Sequence, residues 1–150
     1  MKTLTAGDKI PPFHLLDQDG NLFNINEQLG KTKVVIYFYP KDESAVCTKE
    51  ACAFRDSFTE FTDSGITVIG INSGTVASHA AFAKSNRLPF KLLSDPDNKV
   101  LKKFGIKSWL FLTGRETFLV DKDGIIQYSY RAFLSGDKHP ENVLEFLASN

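Results

Sequence analysis

Two cysteines, Cys47 and Cys52, stand five positions apart, and the chain has no others. That spacing matches none of the common zinc patterns, and two thiols are too few for a disulfide framework. Such a pair suits redox chemistry, in which a thiolate acts as nucleophile and a second thiol later displaces it. The plainer reading makes both residues small core hydrophobes, a common role for free cysteine. Cys52 fits that reading less well, because on a helix it falls beside Lys49 and Asp56, off the apolar face.

Reactivity requires a thiolate. Ser44, three residues before Cys47, is the expected N-cap of a helix whose first turn holds the cysteine. Amides at a helix start favour an anion by about 0.3–1 kcal/mol, up to ~2 where partly buried. Bringing an ordinary thiol of pKa about 8.5 down to about 6 needs roughly 3.4 kcal/mol, so a cation must add to the helix. The arginines are Arg55, Arg87, Arg115 and Arg131. Arg115 is best placed, immediately before an apolar strand that fixes its backbone, although a surface ion pair is the bland alternative. Arg55 lies eight residues past Cys47, about 12 Å along a helix, too far for contact.

The elements that must hold these residues follow from periodicity. Val34-Val35-Ile36-Tyr37-Phe38-Tyr39 is continuously apolar, as in a central strand covered on both faces, and Pro40 ends it. Cys47, Ala51, Phe54, Phe58 and Phe61 then recur at helical spacing, predicting one helix to Gly65. A second core strand is expected at 66–71, a helix over 75–86 and a short strand at 90–93. Further on come a short helix over 97–104, a hairpin of 117–120 with 125–130, and a last helix opened by Pro140. Asp17-Gln18-Asp19-Gly20 marks another hairpin near the amino terminus. The order implies one α/β domain over residues 1–150, a thioredoxin-like fold with a central mixed sheet flanked by helices and an N-terminal β-hairpin.

Composition narrows the partners. Eighteen basic side chains balance eighteen acidic ones, so no net field draws in nucleic acid or an anionic membrane. No apolar run reaches the ~18 residues of a membrane span, and none follows the charges of the first ten residues, so a cytoplasmic protein is expected. His14, His79 and His139 are dispersed without metal-ligand spacing and read as structural or exposed; no metal or organic cofactor is expected. Trp109 with Leu110, Phe111 and Leu112 reads as core or pocket wall, able to shape selectivity or bury a dimer contact.

Five residues along an intact helix correspond to about 140° of rotation and about 7.5 Å of rise. The two Cα atoms are then roughly 8.7 Å apart, beyond the ~7 Å limit for a disulfide. The sulfurs point apart, and joining them demands local unwinding. The helix is therefore expected to be intact when the thiols are reduced and to lose its first turns when they join.

Tyr37-Phe38-Tyr39-Pro40-Lys41-Asp42, followed by Cys47-Thr48-Lys49-Glu50-Ala51-Cys52-Ala53-Phe54-Arg55-Asp56, strongly resembles the peroxiredoxin Q subfamily, also called bacterioferritin comigratory proteins. The likeness extends to Gly7-Asp8-Lys9-Ile10-Pro11-Pro12-Phe13, to Leu88-Pro89-Phe90-Lys91-Leu92-Leu93-Ser94-Asp95, and to Arg115 before Thr117-Phe118-Leu119-Val120-Asp121. The resemblance implies a thiol peroxidase acting on hydrogen peroxide or organic hydroperoxides. Cys47 would be the peroxidatic cysteine and Cys52 the resolving one, with Pro40, Ser44 and Arg115 completing the peroxide site. Thioredoxin or a similar dithiol would recycle the disulfide, in a monomer or a weak dimer. Ser44 replaces the family's usual Thr and keeps the hydroxyl, while Ala45-Val46 replace its Pro-Gly and remove a residue that fixes φ at the helix start. Glu50, one turn beyond Cys47, reads as a solvated helix carboxylate, with a role in holding Arg115 as the alternative. Two rivals stay open: a thiol-disulfide oxidoreductase of the same fold, whose cysteines are usually separated by two residues rather than four, and a non-enzymatic redox-sensing or chaperone-like module.

Overall fold

The structure, a computed structural model, describes residues 2–40, 42, 44–106, 116–131 and 138–148. The elements in chain order are β1 (His14–Leu16), β2 (Leu22–Asn24), α1 (Ile25–Leu29), β3 (Lys33–Phe38), α2 (Ala45–Asp56), α3 (Phe58–Asp63) and β4 (Ile66–Asn72). They continue with α4 (Val76–Asn86), β5 (Lys91–Ser94), α5 (Lys99–Lys103), β6 (Glu116–Val120), β7 (Ile126–Arg131) and α6 (Lys138–Ala148). The strands form one sheet in the order β2-β1-β5-β4-β3-β6-β7. Pairing is parallel for β3 with β4 and β4 with β5, and antiparallel elsewhere. This is the mixed sheet expected from the alternation of elements. β4 takes the middle position, with the apolar strand β3 beside it and covered on both edges.

Alternation along the strands divides the core between the two faces of the sheet. Val34, Ile36, Phe38, Ile69, Ile71 and Phe118 pack with α1 and α5. Val35, Tyr37, Tyr39, Val68, Leu92 and Leu119 pack with α2, α3, α4 and α6, and Cys47 belongs to this second core. The α2 register depends on one glycine. Gly70 stands opposite Tyr37, and a Cβ there would lie 2.7 Å from Tyr37 Cζ. The bare backbone lets the Tyr37 ring lie flat over β4 and stack on Phe54 of α2, with centroids 4.5 Å apart and planes at 17°.

Two expectations are corrected. The single helix predicted up to Gly65 breaks at Ser57 (φ −96°, ψ 3°) into α2 and α3. Ser57 is a weak helix former, and the break leaves Phe61 fully buried while Phe58 is only partly covered, so the two residues do not share one buried stripe. The helix predicted over 97–104 begins only at Lys99, because Asp97 and Asn98, within the 3₁₀ turn Pro96–Asn98, take left-handed φ values of 60° and 56°. The Asp95 carboxylate receives the amides of Val100 and Leu101 at 3.0 Å and starts the helix there. Among the described residues no helix is long and apolar enough to cross a membrane.

Candidate active site

The strand β3 delivers the chain to one edge of the second core, and Pro40 turns it toward α2. Ser44 has extended φ and ψ (−69°, 151°), and its Oγ accepts from the Cys47 amide at 3.2 Å. The predicted N-cap is therefore present. Ala45 and Val46 fill the first two helical positions without the proline that would fix the turn. Cys47 is 1% exposed, its side chain packed in the core formed by Tyr37, Tyr39, Ala51 and Phe54. Both cysteines are free thiols, and α2 runs unbroken through them. This is the intact helix expected of the reduced pair.

Cys52 is half-buried on another side of α2, where its thiol lies 3.8 Å from Asn86 Oδ1. Arg55, too far along the helix for Cys47, serves this end. Its Nη1 donates to the Asn86 carbonyl at 2.8 Å, tying α2 to the last turn of α4. Arg55 also pairs with Asp56 at 3.0 Å. That hydrogen bond, opposed by burial and aided by the nearby Cys52 and Asp56, raises the guanidinium above its ordinary value.

Glu50 overturns the reading of a solvated carboxylate. It is fully buried, with Oε2 3.5 Å from His139 Nδ1 of α6. The same His139 nitrogen lies 2.6 Å from Thr117 Oγ1 of β6, and the ring meets Tyr130 edge-on at 4.8 Å. Glu50 is thus a junction between α2, α6 and β6. Arg115, together with the segment Trp109 to Leu112, lies outside the described residues. Pro40 is partly buried and walls a cleft of about 310 Å³ with Asp42, Asn72, Ser73, Gly74, Thr75 and Ser78. Tyr39 spans the space between this cleft and the cysteine: its hydroxyl donates to Asp42 at 2.8 Å. Burial, then Tyr37, Asp42 and Cys47, push its phenol well above the ordinary range, so the ring is a neutral donor.

The structure joins Ser44 to Cys47 at the helix start and sets Pro40 in the wall of the cleft beside Asp42, while the burial of Asp42, Glu50, His79 and His139 escaped sequence reasoning. Asp42 and Glu50 were legible as members of the motif but gave no sign of burial. The histidines sit on elements remote in sequence, and His14 alone of the three is exposed. Among the described residues no group of three or more His, Cys, Asp or Glu is placed to hold a metal ion. The arrangement offers a capped helix start around one sulfur and a second thiol on the same helix, which is the apparatus of thiol redox chemistry.

Comparison with known proteins agrees. The model of the AhpC/TSA family matches residues 6–129. Chloroplastic peroxiredoxin Q of Sedum lineare is 47% identical over 148 residues, 97% of this chain and 79% of the relative. That of Triticum aestivum is 47% identical over 146 residues, covering 96% and 67%. Among solved structures, peroxidoxin BcpB of Mycobacterium tuberculosis superposes with a TM-score of 0.91 at 33% identity, covering 97% of each chain. Peroxiredoxin Q of Xanthomonas campestris gives 0.82 at 29% identity, covering 91% of this chain and 90% of that one. A likeness of this extent, joined to a thioredoxin-like sheet that sets a capped cysteine at the start of a helix, means that the chain belongs to the AhpC/TSA family and is a peroxiredoxin of the Q type, a thiol-dependent peroxidase.

Proposed function

We propose that Cys47 is the peroxidatic nucleophile, Cys52 the resolving thiol, and that Ser44, Pro40 and Arg115 complete the peroxide site. The observation that carries this reading is the Cys47 side chain held in the core at the first turn of α2, its own amide tied to Ser44 Oγ at 3.2 Å. The Cys47 thiolate attacks one peroxide oxygen in line; an S–O bond forms as the O–O bond breaks. Sulfur is oxidised to the sulfenic acid, the peroxide is reduced, and the departing oxygen takes a proton to leave as water or an alcohol. The Ser44 hydroxyl, the helix-start amides and the Arg115 guanidinium stabilise the charge on that oxygen, and Pro40 limits water access. Hydrogen peroxide and organic hydroperoxides are the substrates.

Cys52 then attacks the sulfenic sulfur, expelling hydroxide that is protonated to water, and a disulfide forms within one chain. Across an intact helix the Cα separation is roughly 8.7 Å against the ~7 Å that a disulfide tolerates, so the first turns of α2 melt. An external dithiol, thioredoxin or a relative, reduces the disulfide by exchange. The chain completes this cycle as a monomer. The test is peroxide consumption with thioredoxin by wild type, Cys47→Ser and Cys52→Ser. Cys47→Ser consumes none, and Cys52→Ser stops after one equivalent with a trappable sulfenic acid. Sustained consumption by Cys47→Ser overturns the assignment.

A further inference from the structure

A second polar cluster lies upstream of Cys47, and the chemistry above does not use it. Asp42 stands in the loop that leads from β3 to Ser44, and only 7% of it is exposed. Its Oδ1 accepts from the Tyr39 hydroxyl at 2.8 Å and from Asn72 Nδ2 at 3.4 Å. Its Oδ2 accepts from Ser78 Oγ at 2.7 Å and lies 2.6 Å from His79 Nδ1. About four lone-pair positions are available on a carboxylate, and these donors fill them. They come from the end of β3, the end of β4 and the first turn of α4. Burial raises the Asp42 carboxyl, but the bonds from His79 and Ser78, the His79 charge and the Tyr39 bond outweigh it and hold the group below the ordinary carboxylate range.

His79 is fully buried, and its other nitrogen, Nε2, lies 3.1 Å from the Leu93 carbonyl of β5. The ring thus bridges the Asp42 carboxylate on one side and the Leu93 carbonyl of β5 on the other. Gly74 closes over the pair. A Cβ there would lie 3.0 Å from Asn72 Oδ1, 3.1 Å from His79 Cε1 and 3.2 Å from Asp42 Oδ2. Two residues after Asp42, Ser44 caps the helix that carries Cys47, and Tyr39, the ring bonded to Asp42, packs in the same core as Cys47.

We propose that His79 is a positioning residue for the peroxide reaction, acting through Asp42: the buried pair pins the upstream end of the Pro40-to-Ser44 loop to β5 and α4. Ser44 and Cys47 thereby keep their places while the thiolate reacts, and the melting of α2 that lets Cys52 reach Cys47 stops at Asp42. This rests on the assignment of Cys47 as the peroxidatic residue. Without the ring no side chain at 79 spans from Asp42 to the Leu93 carbonyl in the same geometry, so the loop loses one anchor and shifts. Displacements of about 1 Å from a reactive geometry can cost roughly 100-fold.

The experiment compares wild type, His79→Gln and Ser78→Ala in three measurements: the second-order rate of Cys47 oxidation by hydrogen peroxide, the ultraviolet thiolate absorbance at fixed pH in a Cys52→Ser background, and the urea unfolding midpoint. His79→Gln is expected to lower the oxidation rate roughly 10- to 100-fold with a smaller thiolate signal. Ser78→Ala, at an exposed position that leaves folding intact, shifts both in the same direction by a few-fold. If His79→Gln fails to fold, Ser78→Ala decides. Rates and thiolate signals within twofold of wild type in every folded variant, or a stability loss with unchanged thiolate signal, overturns the proposal. Wild type that consumes no peroxide refutes instead the assignment of Cys47.

Discussion

Replacing Ser44 with alanine separates the two halves of the catalytic cycle. The change removes one acceptor, the Oγ that lies 3.2 Å from the Cys47 amide. Loss of such a cap costs about 0.5–2 kcal/mol, typically ~1, which makes the unwound first turn roughly fivefold more populated. Disulfide formation needs that turn unwound, so resolution is expected to accelerate by about the same factor. The oxidation step moves the other way. A hydroxyl bonded to a charged partner contributes about 1.5–3 kcal/mol, so its removal slows attack on peroxide roughly 10- to 100-fold. Ser44→Thr keeps the hydroxyl and leaves both rates near wild type. The Ala45→Pro, Val46→Gly double variant preorganises the same turn through the fixed φ of proline; it is expected to slow resolution and to raise amide protection of the first turn in hydrogen exchange. Rapid acid quench, thiol alkylation and mass spectrometry give the time courses of sulfenic acid and disulfide for all variants. The reasoning is refuted if Ser44→Ala changes both rates in the same direction, or if the double variant leaves kinetics and exchange unchanged.

Two further outcomes test the scaffold. Gly70→Ala puts a Cβ 2.7 Å from Tyr37 Cζ in a ring that is fully buried, and overpacking of this kind costs about 1–3 kcal/mol, read as a lower urea midpoint. Asp17 provides the pH test: its carboxylate receives Lys91 at 2.9 Å and the amides of Asp19 and Asn21 at 2.9 and 3.0 Å. Burial raises its carboxyl, but these bonds outweigh burial and hold it below the ordinary 3.8. The folded form binds that proton less readily than the unfolded form, so the contribution is present above pH 3.8 and disappears as pH falls through the lower folded value. Urea midpoints followed from pH 5 downward are expected to fall less steeply in Asp17→Asn, and parallel acid limbs would contradict this.

The fold was legible because strand and helix periods were strong. Residues 34–39 read as a doubly covered strand from their β-branched and aromatic run, and Ser44 announced the start of α2 by chemistry that acts over three residues. What escaped were features made by elements distant in sequence. Ser57 ends α2 although the spacing of Phe54, Phe58 and Phe61 continues across it, so periodicity alone saw one helix. Burial of Glu50 depends on His139, 89 positions later in the chain, and that of Asp42 on His79 and Leu93. A carboxylate on a helix is solvated by default, and only the packing of α6 and β6 against α2 makes Glu50 an exception. Arg115 was chosen from its place before β6 and lies outside the described residues, which resume at Glu116.

The two ends of α2 are held with unequal strength, and this sets the direction in which it can melt. At the amino end Ala45 and Lys49 are exposed and Val46 and Thr48 partly so, which leaves the small side chain of Cys47 as the buried contact of the first turn. Glu50 is fully buried beside His139, but a buried polar side chain recovers its hydration when it is released. Beyond it the balance reverses. Phe54 is fully buried, stacked on Tyr37 at 4.5 Å and in ring contact with Phe61 and Phe90. Removing such a ring from its core costs about 3–5 kcal/mol. Arg55 adds a tie to α4 through the Asn86 carbonyl at 2.8 Å. Opening therefore begins at Ser44 and halts before Phe54, and Cys52 lies at that boundary, with its helix still anchored on one side. Under the proposed assignment the more movable cysteine is then expected to be Cys47, with Cys52 staying near Asn86, as local opening from the weaker end requires.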